Sequence, residues 1–348
     1  MAIKIYRQFK KLIKKKFFLQ TPDLLFINKK NKINSCMPNK IIKLGNKNKN
    51  KIFYVIKRTP GTGLFSNVLF VLNHLNIAIK KKYIPIVDMQ NFTTIYNEPK
   101  KIDGNNNAWE YYFKNLSNYK LKDIYQSQKV IFTDNKYYSN FVYDLEKNKK
   151  LINLFQKKIK VKKDILRDFK YFKKKIDNEK VLGIHFRGTS YKRSPGHPFP
   201  STKKQMGKIV DNFLKKKKFT KIFLATEEKD YLNFFIKRYG NKIIYLKDVY
   251  RSNKNDAFKI YPRKNHRYKL GREIILETML MSATNYFIFV NSNVSSASIA
   301  FNINKRQKRV LIDNGYNSKN QFFAQWLWYF RKLLPDNLWG FKIKLKYI

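Results

Sequence analysis

The residues best suited to chemistry stand where short apolar runs end. The first group is His185-Phe186-Arg187-Gly188-Thr189-Ser190, at the end of a run that begins at Val181. If that run is a strand, its period of two turns His185 and Arg187 the same way, toward the mouth at the strand's carboxyl end. Arg187 offers a rigid fork of donors matched to phosphate oxygens. Gly188 lets the chain turn and a ligand approach. An ordinary surface arginine closing a strand is the competing account. The second group is Thr226-Glu227-Glu228, after Ile222–Ala225. Here Thr226 can cap the following helix and both acids suit its positive end, which needs no ligand to explain it. The third group runs from Asn291 to Ser298, after Tyr286–Val290, and leads into a helix. Ser292, Asn293, Ser295 and Ser296, with the free N–H groups of a helix start, make a phosphate site, against the plainer reading of a capped polar loop.

Two further features complete the set. Glu277 has Ile274, Leu280 and Met281 three and four positions away, which puts its carboxylate on an apolar stripe. A buried carboxylate must be paired with donors. The two adjacent N–H groups of guanine would serve, and so would Arg263, Arg267 or Arg272. Gly61-Thr62-Gly63-Leu64-Phe65-Ser66-Asn67 is a glycine loop opening a helix, without the spacing of a dinucleotide fingerprint or the lysine of a P-loop.

The elements that must position these residues are legible. Ile52–Ile56 reads as a strand, and Val68, Val71, Leu72, Leu75, Ala78 and Ile79 recur at helical spacing. Tyr83–Asp88 then returns as a strand, making a βαβ unit. In the second half, strands are expected at 181–186, 222–225, 243–246, 286–290 and 310–313. Helices are expected over 203–217, 229–238, 270–282 and 295–303. Strands alternating with helices give an α/β chain with parallel, doubly wound sheets. Ligands of such sheets sit at the carboxyl ends of the strands, where the three groups fall. The expected organisation is a basic lead-in over 1–50, one Rossmann-like domain over 51–180 and a second over 181–348.

Composition narrows the partners. The 348 residues hold 75 Lys+Arg against 23 Asp+Glu, a net charge of +52. With 43% hydrophobic and 16% aromatic residues the chain can bury real cores. The basic runs at 14–16, 80–82 and 215–218 are scattered, and the wealth of Lys, Asn and Ile is what A/T-rich codons impose. Nucleic acid is therefore not the expected partner; anionic substrates and anionic membrane surfaces are. One cysteine, Cys36, excludes a disulfide framework, and four histidines lack metal-ligand spacing. No metal is expected. Lysines interrupt every apolar stretch of the first 19 residues, so neither a signal peptide nor a spanning helix is read there. A cytoplasmic protein is expected, its N-terminus either an ordinary first helix or a basic amphipathic one on the inner face of the membrane. The aromatic-dense end (Phe322, Phe323, Trp326, Trp328, Tyr329, Phe330, Trp339) is expected to pack as a closing helix, the other reading being an interfacial contact beside Lys332 and Lys342.

Taken in order, Gly61–Asn67 with its helix, His185–Thr189, Leu224–Glu228, and the Glu277 helix running into Asn291–Ser298 resemble a known family. It is the GDP-fucose-dependent fucosyltransferase superfamily of NodZ-like α-1,6, α-1,2 and protein O-fucosyltransferase type, whose hallmark is a His-x-Arg motif. The resemblance covers about residues 52–305. It implies a GT-B fold, two facing Rossmann-like domains with the donor between them, and inverting transfer without metal. Arg187 would hold the β-phosphate and His185 would lie beside the nucleotide. Glu277 would read guanine, while Ser292 and Asn293, with Ser295, Ser296, Thr226 and Glu227, would line the donor. The loop of Gly61, Gly63 and Asn67 would close over the pyrophosphate. GDP-fucose would be a substrate, no cofactor would be needed, and the acceptor would be a glycan in bacterial surface polysaccharide synthesis; a lipid-linked acceptor would suit the interfacial reading of the C-terminal aromatics.

Two departures stand out. Ser190 occupies a place where many relatives carry Asp, and Phe186 to Val210 holds no carboxylate. A base must come from Asp88, Glu98 or Glu110, or from His197 in the Pro195–Pro198 turn. Two other functions stay open: the same fold with another nucleotide-sugar donor, and a non-catalytic basic binder of nucleic acid or membrane on a degenerate transferase scaffold. An enzyme should bring Arg187, Glu277 and Ser292 together; a binder should gather its basic residues on one face.

Overall fold

The computed structural model describes residues 40–136 and 148–348. The lead-in as far as residue 39, including its amphipathic stretch and Cys36, lies outside the described residues.

The first sheet forms from β1 (Ile41–Ile42), β2 (Lys47–Ile56), β3 (Ile84–Val87) and β4 (Ser127–Phe132), in the order β1-β4-β2-β3. β2 runs parallel to both neighbours, and β1 is antiparallel to β4. Only the apolar end of β2, Phe53–Ile56, is buried. The helix α1 (Leu64–Lys80) begins directly after Gly63 and is buried on most of its surface. α2 (Leu121–Ile124) precedes β4, and α3 (Lys149–Lys158) and α4 (Lys163–Lys173) follow it.

The second sheet contains β5 (Val181–His185), β6 (Lys221–Ala225), β7 (Ile243–Ile244), β8 (Tyr286–Phe289), β9 (Lys308–Ile312) and β10 (Leu345–Tyr347). Its order is β10-β9-β8-β5-β6-β7. The five expected strands are all parallel, and their apolar runs are continuous because both faces are covered. The antiparallel edge strand β10 is an addition. Between the strands lie α5 (Lys203–Lys216), α6 (Lys229–Tyr239), α7 (His266–Ala283) and α8 (Asn293–Phe301). From β5 the chain first builds outward through β6 and β7, then returns to the other side of β5 for β8 and β9. The order therefore reverses between β5 and β8, and the crevice at their carboxyl ends is where ligands of such sheets bind. His185 pairs with Phe289 across this boundary, so the His185 and Asn291 segments leave the sheet side by side.

One hydrophobic cluster joins the two sheets, from Val68 and Leu72 of α1 through Phe155 of α3 to Ile275 and Ile299 of α7 and α8. Phe301 meets Phe155 edge-on, with ring centres 5.0 Å apart. The seam is also polar. Tyr112 is buried, donates toward the carbonyls of Arg267 and Tyr268 at 3.3 and 3.1 Å, and stacks on Tyr268. A Cβ at Gly271 of α7 would overlap the Tyr112 ring, which is why this turn of the helix carries glycine.

Candidate functional site

His185, the last residue of β5, is buried against the start of α8. Its Nδ1 lies 2.8 Å from Ser295 Oγ. Ser295 donates its one hydroxyl proton to Val290 O at 2.9 Å, an atom that can only accept. This assigns the imidazole proton to Nδ1, which donates to Ser295, and leaves the lone pair on Nε2. Ser292 caps α8 by accepting from Ser295 N at 3.1 Å. Asn293 is the helix's first residue, and Ser296 is buried one position beyond Ser295. The serines thus fix the helix start and the histidine tautomer together.

Burial pulls the His185 pKa down to about 4; Arg187 adds to this and Glu227 opposes it. The folded value lies below the ordinary 6.5, so the unfolded chain binds the extra proton first. This contribution to stability is complete above about pH 6.5 and is lost as pH falls toward 4. The loss amounts to about 3 kcal/mol. His185→Asn should flatten that part of the slope, read as unfolding midpoints of both proteins from pH 7.5 to 4.5. An unchanged slope in the variant would show that His185 is not held neutral.

Arg187 is held from three sides. Its Nη1 lies 2.8 Å from Glu227 Oε1, its Nη2 donates to Ser190 Oγ at 3.0 Å, and its guanidinium sits 4.6 Å over the Tyr191 ring. The serine that replaces the expected Asp is thus a neutral acceptor, and Glu227 supplies the negative partner. Burial works against the Arg187 charge, but Glu227 and Tyr191 outweigh it and hold the pKa above its ordinary value. Burial likewise opposes ionised Glu227, and Arg187 outweighs it to keep its carboxyl below the usual range. Tyr191 in turn stacks on His197, with ring centres 4.8 Å apart and planes 5° from parallel.

Glu228 stands at the N-cap of α6, as expected of an acid there, but both acids after β6 turn their carboxylates to the β5 loop. Glu227 Oε1 also accepts from Gly188 N at 3.1 Å and Thr189 Oγ1 at 2.9 Å. Glu228 accepts from Thr189 N and from Lys192 Nζ. Thr226 is not the cap of α6, whose N-cap position is Glu228. Its hydroxyl instead donates to Phe186 O at 2.8 Å and accepts from Glu228 N at 3.2 Å. A Cβ at Gly188 would collide with the Glu228 carboxylate, so this close approach requires glycine.

Glu277 is buried as expected, but its partner is none of the three arginines named for it. Arg251 Nη2 donates to Glu277 Oε1 at 3.0 Å. Arg263 pairs with Glu273, Arg272 with Asp168, and Arg267 reaches the Asn97 carbonyl. Burial pushes the Glu277 carboxyl up to about 8; Arg251 opposes the shift, and Glu273 and Glu227 add to it.

The glycine loop approaches from the first sheet. Asn67 stitches it shut, accepting from Thr62 N at 3.0 Å and donating to Thr62 O at 3.1 Å. Gly61 has φ +68° and Gly63 precedes the first turn of α1. Leu64 N donates to Tyr96 Oη at 2.9 Å, and Tyr96 is near enough to Arg187 for the cation to oppose the upward push of burial on its hydroxyl. Arg58, which sequence reasoning passed over, braces the loop by donating to Ser66 O at 2.9 Å and Thr62 Oγ1 at 3.1 Å. The available signal was its place two residues after β2, as Arg187 stands two residues after β5.

Three base candidates are already committed elsewhere. Asp88 is fully buried and accepts from Gln90 N, Asn91 N, Asn91 Nδ2 and the Tyr125 hydroxyl. Glu98 accepts from Tyr261 Oη at 2.6 Å and Tyr268 N at 2.8 Å, and so ties the two halves together. Glu110 accepts from Asn105 and Asn107. His197 is the candidate that the structure lays against the Arg187 cluster. Burial, then Arg187, lower its pKa and keep it neutral. Among the described residues, no group of three or more His, Cys, Asp and Glu is placed to hold a metal ion, and no helix is long and apolar enough to cross a membrane.

No protein-family model matches the chain, and no curated protein matches it. It is similar to solved fucosyltransferase structures. For NodZ from Bradyrhizobium the TM-score is 0.46 at 14% identity, covering 76% of this chain and 95% of that one. For POFUT1 in complex with GDP the values are 0.45 and 11%, covering 76% and 99%. For an Arabidopsis thaliana FUT1 mutant in complex with GDP they are 0.43 and 11%, covering 77% and 72%.

Proposed function

We propose that this protein is an inverting glycosyltransferase that moves fucose from GDP-fucose to a glycan hydroxyl, in the assembly of a bacterial surface polysaccharide. The observation that carries the reading is the convergence at the β5/β8 reversal. Arg187 stands there, fixed by Glu227 and Ser190, two residues after the His185 that meets Ser295 at the capped start of α8. In the transfer, the acceptor oxygen forms a bond to the anomeric carbon while the bond from that carbon to the phosphate oxygen breaks. The bonding pair leaves with the diphosphate, and the acceptor's proton passes to a base. An arginine already oriented, and helix-start N–H groups already aligned, stabilise the growing negative charge without reorganising. His197, neutral and stacked on Tyr191 beside Arg187, is the group proposed to take the proton.

The Arg251–Glu277 pair favours a second reading of the donor. With Oε1 shared with Arg251 and the carboxyl raised to about 8, Glu277 meets guanine as a neutral acid rather than a doubly accepting carboxylate, which admits another nucleotide. Thermal unfolding with GDP, GDP-fucose, UDP-sugars or no ligand separates the two. A ligand at about 100 times its Kd adds about 2.7 kcal/mol of stability to the native state. The expected result is a rise in midpoint with GDP and GDP-fucose that Arg187→Ala abolishes. A preference for UDP-sugars would move the donor assignment to the second reading. No shift with any nucleotide, or an equal shift with any polyanion, would leave a basic binding protein.

A further inference from the structure

The chain from Gln321 to Leu333 presents one apolar face inward and a second one outward. It comprises α9 (Gln321–Ala324) and α10 (Leu327–Leu333), joined by Gln325 and Trp326, both in helical backbone. Ala324, Trp328 and Arg331, at four- and three-residue spacing, form the inner face. Trp328 Nε1 donates to Pro200 O at 2.8 Å, and Arg331 donates to Asn314 O at 2.9 Å. Phe322, Trp326, Phe330 and Leu333, spaced four, four and three, form the outer face and are 69, 62, 55 and 82% exposed. Trp339, also exposed, brings its ring to 6.3 Å from Phe330 and widens the patch. The expectation of a packed closing helix therefore holds for Trp328 but not for its neighbours. Contiguous apolar patches of this kind mark interaction surfaces.

The surroundings say what covers it. Trp328, Tyr329 and Lys332 of α10 also line a cavity of about 640 Å³, with Lys192 and, at the start of α5, Lys203, Lys204 and Lys208. Lys192 is taken by Glu228 and Lys208 lies 4.0 Å from Asp336, which leaves Lys203, Lys204 and Lys332 as the cations of the rim. A second copy of this +52 chain would bring like charge to the same rim. Residues 1–39 are lysine-rich with Asp23 as their one acid, and would do the same. An anionic surface complements the rim, and Trp and Phe beside lysines are the side chains that settle at a lipid interface. The stretch is too short to span a bilayer, which takes about 20 residues, so it must lie along the surface.

We infer that the outer face of α9 and α10 docks on an anionic lipid bilayer, its aromatic side chains entering the interface and the adjoining lysines meeting lipid phosphates. The inference is independent of the proposed reaction. Tryptophan fluorescence of the full chain reads it directly. Trp109 and Trp328 are buried, Trp326 and Trp339 lie on this face, and residues 1–39 contain no tryptophan. Vesicles of phosphatidylcholine with phosphatidylglycerol should shift the emission to the blue, and brominated acyl chains should quench it; pure phosphatidylcholine should do neither. Trp326→Phe with Trp339→Phe should abolish the quenching while co-sedimentation with the vesicles persists. Phe330→Ser with Leu333→Ser should weaken vesicle binding by about tenfold or more with an unchanged unfolding midpoint, since both side chains point outward. Binding without quenching would assign the contact to another segment and overturn the inference. So would the absence of anionic binding, or a dimer in sedimentation velocity that itself shields Trp326.

Discussion

Arg251→Met is expected to lower the free energy of unfolding by about 3–5 kcal/mol, because it leaves several buried hydrogen-bond acceptors without their donor. The Arg251 side chain is 4% exposed. Its guanidinium donates to Thr226 O at 3.0 Å, Leu246 O at 2.9 Å, Val249 O at 3.2 Å and Glu277 Oε1 at 3.0 Å. Methionine fills much of the space and satisfies none of these acceptors. The effect should also depend on pH. The Glu277 carboxyl titrates at about 8 in the folded protein against an ordinary 4.5, so its contribution is complete below about pH 4.5 and is lost as pH rises through 8. Removing Arg251 deletes the influence that holds this value down, and the deficit should widen from pH 5.5 to pH 8.5. Adding Glu277→Gln to Arg251→Met puts a group that is neutral at every pH opposite the lost arginine. This double variant should recover part of the loss at pH 8.5 and little at pH 5.5. Urea unfolding of the wild type and both variants at the two pH values checks this. A deficit equal at both pH values, with no recovery in the double variant, would show that the two side chains do not act as a pair.

That pair also marks the boundary of what the sequence discloses. Residues whose position follows from a local pattern were legible. Buried parallel strands are continuous apolar runs, so β5, β6, β8 and β9 stand where those runs stand, and the polar residues just beyond them fall in the crevice. His185, Arg187 and Ser292 belong to this class. Pairing is not local. Arg251 meets Glu277 across 26 positions, and Glu227 meets Thr189 across 38, through loops whose course no period records. For that reason the acids after β6 read only as helix-end charges, and their second role as anchors of the β5 loop went unread. β10 escaped notice because Leu345-Lys346-Tyr347 carries no apolar run; it is an edge strand held by backbone pairing to β9. The C-terminal aromatics misled for the opposite reason. Their composition asks for burial, but a helix with two apolar faces over a single core can bury only one.

If the protein carries out the proposed transfer, the largest expected effect on turnover is that of Arg187→Lys, about 10²–10³-fold in kcat for release of GDP from GDP-fucose, with little change in stability. The argument rests on shape more than on charge. The guanidinium spans Glu227 and Ser190 with separate nitrogens while its plane lies on Tyr191, so its direction is set before any substrate arrives. Lysine keeps the positive charge but not the fork, and a single ammonium drawn to Glu227 cannot also be aimed at a leaving phosphate. Because the Arg187 side chain is 25% exposed, water screens what the ion pair adds to folding, and the midpoint should scarcely move. Glu227→Gln should fall between the two proteins. Its amide oxygen can still accept from Gly188 N and Thr189 Oγ1, which preserves the loop, but the arginine loses its charged anchor. If orientation is what Arg187 supplies, both variants lose kcat with a smaller change in KM. If the residue merely holds the donor, KM rises and kcat stands. A Lys variant with wild-type kcat and KM would remove Arg187 from the reaction altogether.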